Sequence, residues 1–464
     1  MTEHHPPGVT TDLSWREKLS YGVGDAGFNF YWVNIATFLM IFYTDVFGIT
    51  AAAAGSVLAL TKLVTAIIPP IVGALADRTR TRFGKFRPYL VWMALPLAVS
   101  GVLTYTTPDL GDGGKLIYAY GTYFFMVLCY TGMNIPYNAL SGVITNVPQE
   151  RTSINSLRFI CAFGGSTLVT AATPFLVKWL GQGDDRRGWQ LTMVCWGVAA
   201  SGLFMVTFFN TRERIEPPPN QKSNVRQDLT DLANNGPWWV LFFMALFTMM
   251  TVTLRSGTAA YYFKYYVQRP DLLAGFLPAY MIGAAVGASL TPLLTRFLDK
   301  RRLLMLLLGA TGILSVALFF IPKDQIQLMF ALQIAIGLAL GPKAPLTFAM
   351  YADTADYNEW RTGRRATAMT FAAATFSQKL GIALTALVMG FVLTALGYVA
   401  NVPQTEKSQS GIVLLISVIP AVFAFLAFAA VMFYKLDNQT MSQVRTDLAA
   451  RNGGTTGAKN PSAA

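Results

Sequence analysis

The sequence predicts an all-α membrane protein, with twelve transmembrane helices in two pseudo-symmetric six-helix bundles. Three observations predict it. Of the 464 residues, 53% are hydrophobic and only 13% are charged, where an ordinary soluble domain carries about 25% charge. Mean hydropathy is +0.43. Apolar runs near the ~20 residues that cross a hydrocarbon core of about 30 Å recur along the chain, and the cations cluster in short connections between them.

In order, the runs cover 20–45, 53–75, 88–107, 116–140, 155–180, 189–210, 237–263, 272–295, 303–321, 326–350, 366–396 and 411–434. Glycine and proline inside them ("AIIPPIVG", "GLALGPKAP") are compatible with membrane helices, where neighbouring groups re-satisfy the freed backbone. The connections after the second, eighth and tenth runs read "DRTRTRFGKFR", "TRFLDKRR" and "EWRTGRR". Connections on the other side, such as "TDVFGITAAA" and "TPDLGDGGK", hold few cations. The positive-inside rule therefore puts the basic turns and both termini in the cytoplasm.

The first basic turn recurs. "GALADRTRTRFGKF" (73–86) follows the second run, and "TPLLTRFLDKRRLL" (291–304) follows the eighth, which is the second of the second half. Two related six-span halves around a midplane site are a transporter plan. The expected organisation is a cytoplasmic leader (1–19), a first bundle (20–210), a polar linker (211–236), a second bundle (237–434) and a cytoplasmic tail (435–464).

Other classes fit poorly. A net charge of +12 would suggest nucleic acid in a soluble protein, but no basic face interleaved with aromatics occurs and the cations follow the spans. Cys129, Cys161 and Cys195 lie in apolar runs, where free thiols behave as small hydrophobes. The only histidines are His4 and His5, in a polar leader without signal-peptide pattern. No nucleophile elbow, Walker A loop or metal-ligand cluster is present, so no enzyme, cofactor or bound metal is expected.

Six motifs, in order, carry a resemblance: "KLSYGVGDAGFNF" (18–30), "FYTDVFGIT" (42–50), "RTRFGKFRP" (80–88), "NIPYNAL" (134–140), "YYFKYYV" (261–267) and "ADTADYNEWRTGRRATAM" (352–369). Together they resemble the glycoside–pentoside–hexuronide:cation symporters of the major facilitator superfamily, the family of the melibiose carrier, from Lys18 to about Leu436. The resemblance implies uptake of a sugar or glycoside by alternating access, driven by Na⁺, H⁺ or Li⁺, in a multi-pass monomer of the bacterial inner membrane.

Ionisable and polar groups inside the spans are costly and are candidates for function. Asp25, Asn29 and Trp32 share one face of the first helix at i, i+4, i+7, a set suited to grip and stack a sugar. The alternative is a carboxylate paired near the helix end and an indole against lipid. By resemblance, Asn29 and Asn134 stand where the melibiose carrier has its sugar-binding aspartates, and Asn138 stands at a tryptophan. Tyr130, Asn134 and Asn138 recur every four residues in the fourth span beside a proline, a set expected to line the cavity, with interhelical hydrogen bonding as the alternative. In the eleventh span, Thr375 and Lys379 match carrier positions near the sugar and cation. Arg158 and Arg255 complete the substrate-binding set, with snorkelling an equal reading for Arg158.

The family's sodium ligands are largely missing. By resemblance, Thr65 and Pro69 stand where the melibiose carrier has the two second-span aspartates of its cation site, Ile68 stands at its asparagine, and only the fourth-span partner Thr131 survives. No sodium or lithium stimulation is expected. Proton coupling would fall to Asp25, with Lys62, about 13 Å into its span by helix rise, as its partner. The interior cations Lys62, Arg158, Arg255 and Lys379 outnumber Asp25, which moves an acidic cargo such as a uronide slightly ahead of a neutral sugar. By resemblance, Asp353, Asp356 and Arg364 in "DTADYNEWRTGRR" form a gating and helix-end network, and Asp77 and Arg78 in the first basic turn are expected to do the same, against the alternative of a solvated surface. Facilitated uniport, a lysolipid transporter of related fold and a non-transporting membrane sensor are the rival functions.

Overall fold

The computed structural model describes residues 13–65, 68–145, 148–214, 230, 233–362, 367–436, 440–444 and 446–448. Most of the expected leader, linker and tail, together with the candidate Arg364, lie outside the described residues.

The described chain is helical apart from short turns and one isolated bridge. Among the described residues, ten helices are long and apolar enough to cross a membrane: α1 (Trp15–Phe47), α5 (Asp112–Ile144), α6 (Pro148–Gly181, apolar from Ser153), α7 (Asp185–Asn210), α8 (Gly236–Tyr266), α9 (Pro270–Phe297), α10 (Lys300–Phe319), α11 (Ile326–Thr362), α12 (Thr367–Ala395, apolar from Ala374) and α13 (Glu406–Met432). The runs expected as second and third spans are shorter helices. The second is α2 (Ala51–Val64) followed by α3 (Ile68–Arg78), and α3 opens on Pro69 and Pro70, whose rings lack the N–H that continues a ladder. The third is α4 (Pro88–Thr104), which turns at Met93.

Local chemistry sets the ends. Ser14 accepts from Glu17 N at the start of α1 (3.2 Å), and Thr50 accepts from Ala53 N at the start of α2 (3.2 Å). Asp184 and Asp299 cap α7 and α10 in the same way, filling donors that a helix start leaves open. The repeated turns therefore differ locally. Asp299 begins a helix, whereas Asp77 lies in the last turn of one.

The chain forms two compact units. The first comprises 1–219 with 253–278 and 383–416. Here α1 packs against α6 and α7, and an aromatic seam of Phe28, Tyr137 and Phe204 fills the junction with centroids 4.8–5.1 Å apart. The second comprises 220–252, 279–382 and 417–464. In it α10 packs on α13. Gly283, Gly287, Gly337 and Gly341 bring α9 and α11 into backbone contact, and a Cβ on Gly341 would fall 2.1 Å from the Ala284 carbonyl. Small residues allow such close crossings where lipid supplies no hydrophobic drive between helices. Large apolar side chains such as Leu95, Phe209, Phe297 and Phe391 stay exposed on the helices, as hydrocarbon-facing residues do.

Candidate functional site

Within the first unit, the candidates on α1, α5 and α6 form a connected polar cluster. Arg158 Nε lies 3.3 Å from Asp25 Oδ2, and its Nη2 lies 3.4 Å from Oδ1. The guanidinium also stands over the Tyr137 ring, 5.4 Å from the centroid. That ring stacks on Tyr21 at 4.7 Å, and each hydroxyl donates to the other's backbone carbonyl, at 2.6 Å from Tyr137 and 3.2 Å from Tyr21. Two helices are thus locked under one half-buried ion pair.

Asn29 Nδ2 donates to the Asp25 carbonyl (2.8 Å), and its Oδ1 accepts from Ser166 on α6 (3.1 Å). On α5, Asn138 Nδ2 donates to Asn134 Oδ1 (2.9 Å). Tyr130 meets Phe28 edge-on at 5.5 Å, and Thr131 is buried. Asn29, Asn134, Asn138 and Tyr130 are all half-buried. Asn29 and Asn134 therefore spend part of their hydrogen-bonding capacity on their neighbours and keep part of it.

The counter-charge of Asp25 is Arg158, where the sequence pointed to Lys62. The Lys62 ammonium instead stands over the rings of Trp32 (5.2 Å) and Tyr123 (5.8 Å), an arrangement that stabilises a cation through the ring quadrupole. Thr65 donates back to Thr61 O (2.7 Å), so its hydroxyl serves its own helix. Arg255 is buried and donates to the Ile416 carbonyl (2.9 Å), next to the turn at Ser417 that interrupts α13.

In the second unit, Thr375 is exposed and Lys379 half-buried on α12. Asp353 is buried and pairs with Lys300 at 2.5 Å. Asp356 is half-buried. In the first unit, Arg78 is exposed at the end of α3.

Three functional candidates escaped the sequence reading. Glu213, in the stretch read as linker, is the acid at the centre of the first basic turn. Its carboxylate accepts from Lys85 N, Phe86 N and Arg87 N at 2.8–2.9 Å. Arg87 in turn lies over Phe208, 4.9 Å from its centroid. Glu17 is buried and binds Arg214 in a fork at 2.7 and 2.8 Å. Lys343, within "GLALGPKAP", is half-buried in the middle of α11. The acids carried no signal beyond their charge. Lys343 did, as an ionisable group inside an apolar run.

Comparison with known proteins fits this picture. Residues 20–438 match the family described as MFS/sugar transport protein. The chain is 37% identical over 439 residues to the inner membrane symporter YicJ of Escherichia coli, covering 94% of this chain and 95% of that one. It is 33% identical to the isoprimeverose transporter of Lactiplantibacillus pentosus (92% and 89% covered) and 30% identical to an E. coli glucuronide carrier protein homolog (95% and 96%). The fold matches a D-xylose-proton symporter with a TM-score of 0.65 at 13% identity, over 90% of this chain and 97% of that one. The chain belongs to the glycoside–pentoside–hexuronide:cation symporter family of the major facilitator superfamily. It is a multi-pass membrane protein and a secondary transporter, not an enzyme.

Proposed function

We propose that the protein imports a sugar or glycoside across the bacterial inner membrane, with an acidic cargo such as a uronide ahead of a neutral one. In this reading twelve spans form two six-helix bundles that alternate access as a monomer, with both termini in the cytoplasm. Cargo meets Asn29, Trp32, Tyr130, Asn134 and Asn138 from one bundle and Arg255, Thr375 and Lys379 from the other. Transport is coupled to a proton, without the family's sodium site. Asp77, Arg78, Asp353, Asp356 and Arg364 gate the cytoplasmic side.

The observation that carries the reading is the pairing of buried Asp25 with half-buried Arg158. A cargo carboxylate suits the planar guanidinium fork. Taking it would cost Asp25 its counter-charge, and a buried carboxylate left alone neutralises itself by binding a proton. Proton and acidic cargo would then enter together, and release of the proton would restore the ion pair as the cargo leaves. Sodium coupling gains little support, because hard cations need several oxygen ligands and Ile68 and Pro69 carry no side-chain oxygen.

Counterflow of labelled glycosides and uronides in proteoliposomes tests the cargo. Uphill accumulation under an imposed pH gradient, lost in Asp25→Asn, is the expected result for coupling. Counterflow without uphill accumulation would make the protein a uniporter, and sodium-driven accumulation indifferent to pH would overturn the proton reading.

A further inference from the structure

Asp45 belongs to the last turn of α1, in the "YTDVF" segment that Gly48 ends with a φ of +83°. Its side chain is 3% exposed, less than that of any other acid in an ion pair of the described residues. The carboxylate is saturated with donors. Oδ2 takes Lys264 Nζ at 2.5 Å and the Tyr265 hydroxyl, and Oδ1 takes the Tyr398 hydroxyl and Thr44 Oγ1 at 2.7 Å. Around this centre Asn401 donates to the Asp45 carbonyl, accepts from Lys264 at 2.8 Å, and donates its own N–H to Tyr265 at 3.0 Å. Asn401 adopts a φ of +59° to do so.

The distribution of partners along the chain gives the cluster its meaning. The acceptor lies in the first half of the chain. Apart from Thr44, every donor to it comes from the second half, from the end of α8 and from the connection after α12. All of them lie within the first compact unit. We infer that Asp45 is the catch of a latch that closes the transport path on the membrane face opposite the basic turns, and that Lys264, Tyr265, Tyr398 and Asn401 are its clasp. A buried charge is tolerated only while it is paired and hydrogen-bonded, so partial separation strips it of partners without yet hydrating it. The latch therefore holds or lets go as a unit. Its placement on the outer face rests on the orientation proposed above, and its existence does not.

The test reads access to Ala36, which lies on α1 beneath the latch, about 13 Å deeper by helix rise. Its carbonyl is 3.5 Å from where a Cβ on Gly257 of α8 would stand, so parting α1 from α8 uncovers it. In the full-length protein, with Cys129, Cys161 and Cys195 replaced by alanine, an Ala36→Cys reporter is labelled with a membrane-impermeant maleimide. Right-side-out and inverted vesicles are compared, and no sugar is required. From the outside, Asp45→Asn is expected to raise the labelling rate about tenfold, as loss of a charge-assisted hydrogen bond shifts a two-state equilibrium. Tyr398→Phe, which removes one hydroxyl from an otherwise intact site, is expected to raise it about threefold. Should Asp45→Asn fail to fold, Tyr398→Phe carries the test. Parental rates in the folded variants overturn the latch. A rise confined to inverted vesicles supports the latch and overturns the orientation.

Discussion

Glu213 stands so close to Gly84 that a Cβ there would fall 2.4 Å from the glutamate's carboxyl carbon. Gly84 has a φ of +109°, and Thr81 closes the turn by accepting its N–H at 3.1 Å. The basic turn thus holds its shape because a glycine lets three consecutive amides converge on one half-buried carboxylate.

Gly84→Ala combines a backbone conformation that L-residues avoid with a direct clash. It is expected to destabilise the folded protein by about 1–3 kcal/mol, read as a lower midpoint in thermal unfolding of the purified protein. Glu213→Ala removes the acceptor and leaves the glycine unstrained, so it should instead speed hydrogen exchange at Lys85, Phe86 and Arg87. Unchanged exchange there would show that the carboxylate does not hold the turn.

A second tie at the same end has a pH signature. Glu150 accepts from Lys18 Nζ at 3.0 Å and from Leu13 N at 3.3 Å. The Lys18 hydrogen bond, chiefly, holds its carboxyl below the usual glutamate range. A depressed folded value contributes stability above the unfolded value, near 4.3, and loses it as pH falls through the folded one. Acidification below about pH 4 should therefore loosen the start of α1. Glu150→Gln should flatten that dependence in an acid-unfolding series, and an equal slope in both proteins would remove the pair from the acid response.

The limits of the sequence reading follow the range of the forces involved. Hydropathy is summed over about 20 neighbouring residues, so ten of the expected runs reappear as long apolar helices, while prolines at 69 and 70 break up the second. Helix faces are also local, and the Asn134–Asn138 pair is one turn of α5. Ion pairs are not local. Arg158 is 133 residues from Asp25, and Glu213 is 128 from Lys85. Charge alone could not choose Arg158 over Lys62, nor reveal that Asp45, in a cation-poor connection and a motif of the family resemblance, is saturated with donors.

Lys343 offers a test of the cargo's charge. The apolar runs of the second half contain Arg255, Lys343 and Lys379 and no aspartate or glutamate. Lys343 lies ten residues from Asp353 along α11, about 15 Å deeper by helix rise. A cation at that depth costs about 2.5–3.5 kcal/mol on insertion scales, so its retention calls for a function. Lys343→Met is expected to raise thermal stability while weakening binding of an acidic glycoside about tenfold, the scale of one charged hydrogen bond. Neutral glycosides should bind the variant as well as the parent. Equal loss for both cargo types in a binding panel would assign Lys343 to folding or to general site geometry.

The amides on α1 and α5 separate contact from scaffolding. Asn29 braces α6 through Ser166, so Asn29→Ala should weaken cargo binding and also lower stability by about 1 kcal/mol. Asn134 receives its one described hydrogen bond from its own helix, at Asn138. Asn134→Ala should therefore weaken binding by about 1–3 kcal/mol with little change in unfolding. Asn134→Asp is the sharper variant. It keeps an acceptor for Asn138 and introduces the charge that the melibiose carrier has at this position. For a neutral sugar, affinity should hold or improve. For an acidic one, a second carboxylate on the amide face should repel the cargo and cost at least tenfold. Titration of the purified variant with a matched glycoside and uronide reads the difference directly. A uronide that binds Asn134→Asp as tightly as the parent would place the cargo's charge elsewhere and return the neutral sugar to first place.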